Sequence, residues 1–414
     1  MSELYDIFRR HPRISTDTRR IEPGSVFFAL HGATFDGNRF AADALSKGAA
    51  YAVVDDPAAV SSDRTVLVGD TLEALQELAR EYRRELAIPI LAISGSNGKT
   101  TTKELVSRVL AERFEVYATH GNLNNHIGVP LTLLAMTRDT EFGVVEMGAS
   151  ACGEIALLAS IAEPNYGILT NIGRAHLEGF GGPEGIRRGK GELLDYLAAN
   201  GGRAFVPRED QTLTNMAAER DGLAAEYYSV TLADGIAHHL EGDYNRFNIA
   251  AAVAVGRYFD IDGERIRHAV GSYMPDNNRS QRTETERNTL IVDCYNANPS
   301  SMRASVLNFL AEPAGGRSRR VLILGDMLEL GAWSEQEHRD IVALAARNPD
   351  AELMLVGGEF ARACAGMEPQ PANTALFPSR EELIAELRRR PVENAFVLVK
   401  GSRGIGLEKA LEEL

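Results

Sequence analysis

The sequence predicts a three-unit α/β protein with mostly parallel sheets, and three observations carry that expectation. Its 414 residues exceed what a single core usually holds, so two or three units are expected. Short apolar runs alternate with stretches of helical periodicity from about residue 88 to the C-terminus, the pattern of strands crossed over by helices. A glycine loop, Gly95-Ser96-Asn97-Gly98-Lys99-Thr100, lies between one such run and one such helix. Boundaries are expected at 1–86, 87–275 and 276–414.

In the first unit, Ser25–Leu30, Ala50–Val54 and Thr65–Val68 read as short strands. Leu72, Leu75, Leu78, Ala79 and Tyr82 recur at helical spacing and predict a helix over Thr71–Leu86, closed off by Pro89. In the second unit, strands are expected at 88–93, 142–147, 166–170 and 203–206, with helices near 100–113, 153–162, 185–198 and 246–259. The third repeats the alternation, a Rossmann-like pattern with strands at 289–294, 320–325, 352–356 and 395–399 and helices at 299–310, 334–347, 380–389 and 405–413. Ligands of such sheets sit at the carboxyl ends of strands, which singles out the loops 293–299, 325–327 and 400–403.

The glycine loop has a definite chemistry. Strand, glycine loop, Gly-Lys-Thr and helix bring backbone N–H groups and a helix N-terminus to bear on phosphate oxygens. Lys99 is placed for the outer phosphates and the Thr100 hydroxyl for Mg2+. The generic loop carries a glycine where this chain has Ile93, and the glycine here is Gly95. The alternative is an ordinary turn with a solvated lysine. Glu146 ends the strand at 142–147 and is expected to share that Mg2+. His176 follows the next strand, where a ligand or orienting role stands beside a plain structural one. By pattern alone Lys190 reads as a solvated lysine at a helix start, and Asn245 and Asn248 as helix caps or readers of an adenine edge.

Composition narrows the function. A net charge of −14 argues against a nucleic-acid binder, and no apolar run approaches the length of a membrane span. The polar N-terminus does not read as a signal peptide. Cys152, Cys294 and Cys364 are scattered, without metal or disulfide spacing, which suits a reducing cytoplasm.

Taken together, GSNGKTTT (95–102), NNHIGVP (124–130), VVEMGAS (144–150), TNIGRAHLEGFGG (170–182), GKGE (189–192), GDYNRFN (242–248) and DCYNANPSSM (293–302) resemble the Mur ligases, in the order that family shows. They are most similar to its dipeptide-adding branch. The resemblance extends to the N-terminal segment from Asp17 to Gly37 and takes in Ile93. It implies a UDP-sugar-binding first domain, a central ATPase and a C-terminal Rossmann-like ligase domain. It also implies ATP-dependent amide formation through an acyl phosphate, between UDP-N-acetylmuramoyl-tripeptide and D-alanyl-D-alanine, by a monomer using two Mg2+ ions.

Carried over by motif, the resemblance puts Gly95 to Thr101, Asn245, Asn248, Arg279 and Asp293 around ATP. Thr100, Glu146, His176 and Lys190 fall around metal, with Lys190 carbamylated. Catalytic roles fall to Lys99, Glu146, His176 and Lys190. Thr18, Arg19, Leu30, His31 and Gly32 match the uridine-diphosphate region, and Lys400 and Arg403 are candidates for the dipeptide carboxylate. Arg279 follows Asn278, where the motif leads one to expect Gly-Arg.

Three other readings compete. A diamino-acid-adding Mur ligase is expected to carry an Asp-Asn-Pro-Arg-like motif, and the third unit has none. Folylpolyglutamate synthase lacks a separate first domain, whereas nearly 90 residues precede the loop here. A non-catalytic nucleotide-gated scaffold has no need of the metal, phosphate and lysine positions together.

Overall fold

Thr71–Leu86 is one continuous helix, started by Asp70, whose carboxylate accepts the Glu73 N–H, and stopped at a left-handed Ala87. Its apolar face lies across a small parallel sheet of β1 (Ile14–Ser15), β2 (Val26–Phe28), β5 (Tyr51–Val54) and β6 (Thr65–Leu67), in that order. A short hairpin, β3 (His31–Gly32) and β4 (Phe35–Asp36), projects from it. This computed structural model describes residues 3–32, 34–275, 279, 281–369 and 371–414.

The central sheet is parallel throughout. Its strands are β7 (Ile90–Ser94), β8 (Val116–Ala118), β9 (Phe142–Glu146), β10 (Tyr166–Leu169), β11 (Arg203–Pro207) and β12 (Ala224–Tyr228). They run in the order β12-β11-β10-β7-β9-β8. The chain leaves β7 toward one edge and returns through β10 to the other. That reversal opens a crevice at the carboxyl end of β7, where the glycine loop lies. Every residue of β7 and β9 is buried, as expected of strands covered on both faces.

The third sheet holds β13 (Gln281–Glu284), β14 (Thr289–Asp293), β15 (Arg319–Gly325), β16 (Ala351–Val356), β17 (Thr374–Phe377) and β18 (Ala395–Lys400), in the order β13-β14-β18-β15-β16-β17. Only the edge strand β13 is antiparallel. The ends of β14 and β18 are in register, so Asp293 and Lys400 are neighbours. The predicted helix over 405–413 is instead 3-10, Leu407–Glu413, following a left-handed Gly406. Among the described residues no helix is long and apolar enough to cross a membrane.

Candidate active site

The glycine loop is held from both sides. Gly98 has φ +79°, and a Cβ there would come within 2.7 Å of Asn248 Oδ1. Gly95 has φ +132°, and its Cβ would lie 2.9 Å from the Thr170 nitrogen, so neither position accepts a side chain without displacement. The helix Lys99–Ala111 begins with no side-chain cap, which leaves its N-terminus for an anion. Lys99 Nζ donates back to the Gly95 and Ser96 carbonyls at 2.8 and 3.2 Å. Burial pushes this ammonium below the usual lysine range, opposed by the nearby Glu146 carboxylate.

Glu146 ends β9 with 2% exposure. Its Oε1 accepts from Asn124 Nδ2 at 2.7 Å, while Oε2 is buried without a hydrogen-bond partner. A buried carboxylate oxygen left unpaired is costly, and a hard cation is the ligand that would satisfy it. Thr100 is buried in the first turn of the adjacent helix. The oxygens of Thr100 and Glu146 therefore fit Mg2+.

Lys190 departs from its pattern-only reading. The helix starts at Pro183, so Lys190 is interior to it, and only 1% of it is exposed. The buried Ile186, Leu193, Leu194 and Leu197 share its helix at three- and four-residue spacing, a signal that was readable in the sequence. Its Nζ donates to the Ala149 carbonyl at 2.9 Å and lies 5.0 Å from the Phe180 ring centre. Burial, reinforced by the Lys99 charge, pushes its pKa well below the usual lysine value. His176 sits at a left-handed φ of +54° and pairs through Nδ1 with Glu329 of the third unit. Burial lowers its pKa, against the pull of Glu329.

On the third-unit side, Lys400 is 2% exposed and donates to Asp293 Oδ2 at 2.6 Å. Its ammonium is thus already engaged. The Arg279 guanidinium carbon lies 3.7 Å from the Tyr295 ring centre and that of Arg403 5.4 Å from it. Arg279 Nε is buried without a partner. Asn278 and Ser280, on either side of Arg279, lie outside the described residues. Asn248 accepts from Thr102 Oγ1 at 3.0 Å and donates to Asn245 Oδ1 at 2.7 Å, so the two asparagines buttress the loop from behind.

A cavity of about 830 Å3 brings together Ser96 to Thr101, Glu146, His176, Asn245, Asn248, Arg279, Asp293 and Lys400. Gly95 and Lys190 are not among the residues that line it. A second cavity, about 230 Å3, adjoins it and is lined by Arg403, Ser402 and Leu328; His176, Glu329 and Tyr295 line both. Thr18, Arg19, Leu30, His31 and Gly32 lie apart, in the first unit. There Arg19 pairs with Asp17 at 2.7 Å, and His31 Nε2 lies 3.1 Å from Asp55 Oδ2. Sequence reasoning missed Asn124, Tyr295, Asn298 and Glu329 as site residues. Asn124 lies within the segment 124–130 and Tyr295 and Asn298 within 293–302, and Glu329 is two residues past the strand-end loop 325–327.

Three family models match the chain: Mur ligase family, catalytic domain, over residues 12–83; Mur ligase middle domain over 93–236; and Mur ligase, glutamate ligase domain over 278–403. The chain is 34% identical to the UDP-N-acetylmuramoyl-tripeptide–D-alanyl-D-alanine ligase of Bacillus subtilis, covering 97% of this chain and 92% of that one. It is similar to a crystal structure of MurF from Acinetobacter baumannii, with TM-score 0.86, 30% identity, and 97% and 93% of the two chains covered. It is likewise similar to the MurF ligase of Thermotoga maritima in complex with ADP, with TM-score 0.84, 26% identity, and 100% and 98% covered.

Proposed function

The chain belongs to the Mur ligase family, and from that premise we propose that it joins D-alanyl-D-alanine to UDP-N-acetylmuramoyl-tripeptide. It is an ATP-dependent ligase of peptidoglycan precursor synthesis, forming an amide by way of an acyl phosphate. The observation that carries the reading is the unpaired, buried Glu146 Oε2 beside a glycine loop, in a cavity closed by the strand-end loops of the third unit. Three free cysteines suit action in a reducing cytoplasm.

Phosphoryl transfer asks a protein mainly for positioning and charge neutralisation. In this reading the loop N–H groups and Lys99 hold the β- and γ-phosphates, with Lys99 turning from its own loop carbonyls to the nucleotide. Thr100 and Glu146 would hold one Mg2+, and His176 with Lys190 a second. Bound metal would draw charge from the transferring phosphoryl group. Asn245 and Asn248 lie on the adenine side, and Arg279 and Asp293 face phosphate and ribose. Burial and the Lys99 charge lower the Lys190 pKa against the pull of the Glu154 and Glu192 carboxylates, which favours the neutral amine. That amine would add CO2 with loss of a proton, and the carbamate so formed is an anionic oxygen ligand. Thr18, Arg19 and residues 30–32 take the uridine diphosphate. Arg403 is the freer cation for the dipeptide carboxylate, since Asp293 engages Lys400.

The test is ADP release with defined substrates. Turnover is expected only when UDP-N-acetylmuramoyl-tripeptide and D-alanyl-D-alanine are present together. Faster turnover with UDP-muramoyl-dipeptide and a diamino acid would overturn the assignment.

A further inference from the structure

Two non-glycine residues from different units meet with left-handed backbones: His176 at φ +54° and Glu329 at φ +63°. Such conformations persist where the surroundings over-determine them, and they gather at functional sites. The loop carrying Glu329 is pinned from behind. The Met327 N–H donates to His338 Nε2 at 3.0 Å, and the Leu328 N–H to Ser402 Oγ at 3.0 Å. The Glu329 carbonyl accepts the Glu178 N–H across the seam at 3.3 Å. The Glu329 carboxylate, itself 61% exposed, takes the Nδ1 side of the His176 ring. No hydrogen-bond partner is found for Nε2 among the described residues. Both side chains line both cavities.

The plain alternative is a rim ion pair that tacks two units together, worth little in itself. It does not account for the paired strain, or for a ring shared by two cavities with one nitrogen engaged and the other left over. We propose that Glu329 is a positioning residue supplied by the third unit. By accepting from Nδ1–H it fixes the orientation and tautomer of His176 and leaves the Nε2 lone pair for a metal in the loop cavity. The inference rests on the reading that His176 faces metal. Its consequence is that the second metal position is complete only when the third unit is docked.

Mn2+ is the probe, titrated into the full chain with ADP and followed by the electron paramagnetic resonance of the free ion. His176→Ala is expected to weaken the weaker class of Mn2+ site. Glu329→Gln should weaken the same class about ten-fold or more, the usual effect of losing an outer partner of a metal-binding histidine. Glu329→Asp should restore part of it, and the His176→Ala/Glu329→Gln pair should lose no more than His176→Ala alone. Wild-type Mn2+ affinity in Glu329→Gln, beside a defective His176→Ala, would overturn the positioning role alone. Wild-type affinity in His176→Ala would overturn the metal reading of that histidine, and the inference with it.

Discussion

Lys190 is confined as few lysines are: an ammonium inside a helix, against an aromatic ring, with one carbonyl as its hydrogen-bond partner. Keeping the charge there is expensive, and neutralising the amine relieves the cost. As a carbamate it would regain an anionic role at the cavity wall. Lys190→Ala is therefore expected to lose about 100-fold or more of turnover, as groups that stabilise developing charge do. Short carboxylic acids should restore part of it by filling the vacated space, with ADP release as the readout. A variant that keeps near-normal turnover, or a wild-type intact mass without bound CO2 in active, CO2-equilibrated protein, would count against the carbamate. The residue shows where sequence reading stops. The loop from Gly95 to Thr100 announced itself because its chemistry is local. The environment of Lys190 is built by Phe180 and Ala149, which reach it only in the fold, and the helical spacing to Ile186 and Leu194 was the one local clue.

Among the elements, the buried parallel strands were legible because an uninterrupted apolar run has few other uses. Of the edge strands, β6 is legible as Thr65–Val68, whereas four others are not. β8, β12, β13 and β17 are short and contain few fully buried residues, so their sequences carry little pattern to read. The helix Ser334–Ala345 carries a second element-scale device. His338, fully buried on it, accepts the Met327 N–H on Nε2 and donates Nδ1–H to the Ser334 carbonyl at 2.7 Å. Burial lowers its pKa; the Ser334 carbonyl and the Asp326 carboxylate oppose this and Arg362 adds to it. Protonation would also forfeit the Met327 bond. The unfolded chain therefore binds the proton more readily than the folded one. Stability contributed by the neutral ring is present above the unfolded histidine pKa of about 6.5 and falls as pH drops below it toward the lower folded value. Thermal melts between pH 7.5 and 5.5, about the range this titration spans, should show a falling midpoint, and His338→Gln should flatten the slope. An equal slope in the variant would remove His338 as its source.

Over the whole molecule, the two seams differ in kind. One apolar core runs from Leu4, Phe8 and Tyr82 of the first unit into Val129, Leu133 and Leu158 of the second. Arg83 clips it by donating to the Ala162 and Glu163 carbonyls and Asn165 Oδ1, at 2.9, 3.1 and 3.1 Å. The third unit meets the second through an apolar patch of Leu177, Phe180 and Ile186, with Ala149, Cys152 and Ile172 packed against it, and through polar contacts. Asn97 and Asn298 exchange amide hydrogen bonds, Arg174 pairs with Glu337 at 2.8 Å, and Ser300 Oγ accepts the Arg174 N–H at 2.8 Å. Seams of the second kind open more readily. The third unit is accordingly expected to swing during turnover while the first two move together. Small-angle scattering should show a more extended envelope without ligands than with nucleotide and sugar-nucleotide substrate; one unchanged compact envelope would exclude such motion. None of this asymmetry was legible in sequence, where strand and helix patterns mark elements within each unit and carry no sign of how one unit packs on the next. It bears directly on the smaller cavity, whose walls come from both sides of the polar seam. Such a hollow exists only while the seam is shut, so a chemical screen run on the open form, or on the second unit alone, would never sample it. A compound that filled it would act as glue rather than as a plug, inhibiting by arresting the enzyme shut, and its potency would rise with whatever else favours closure.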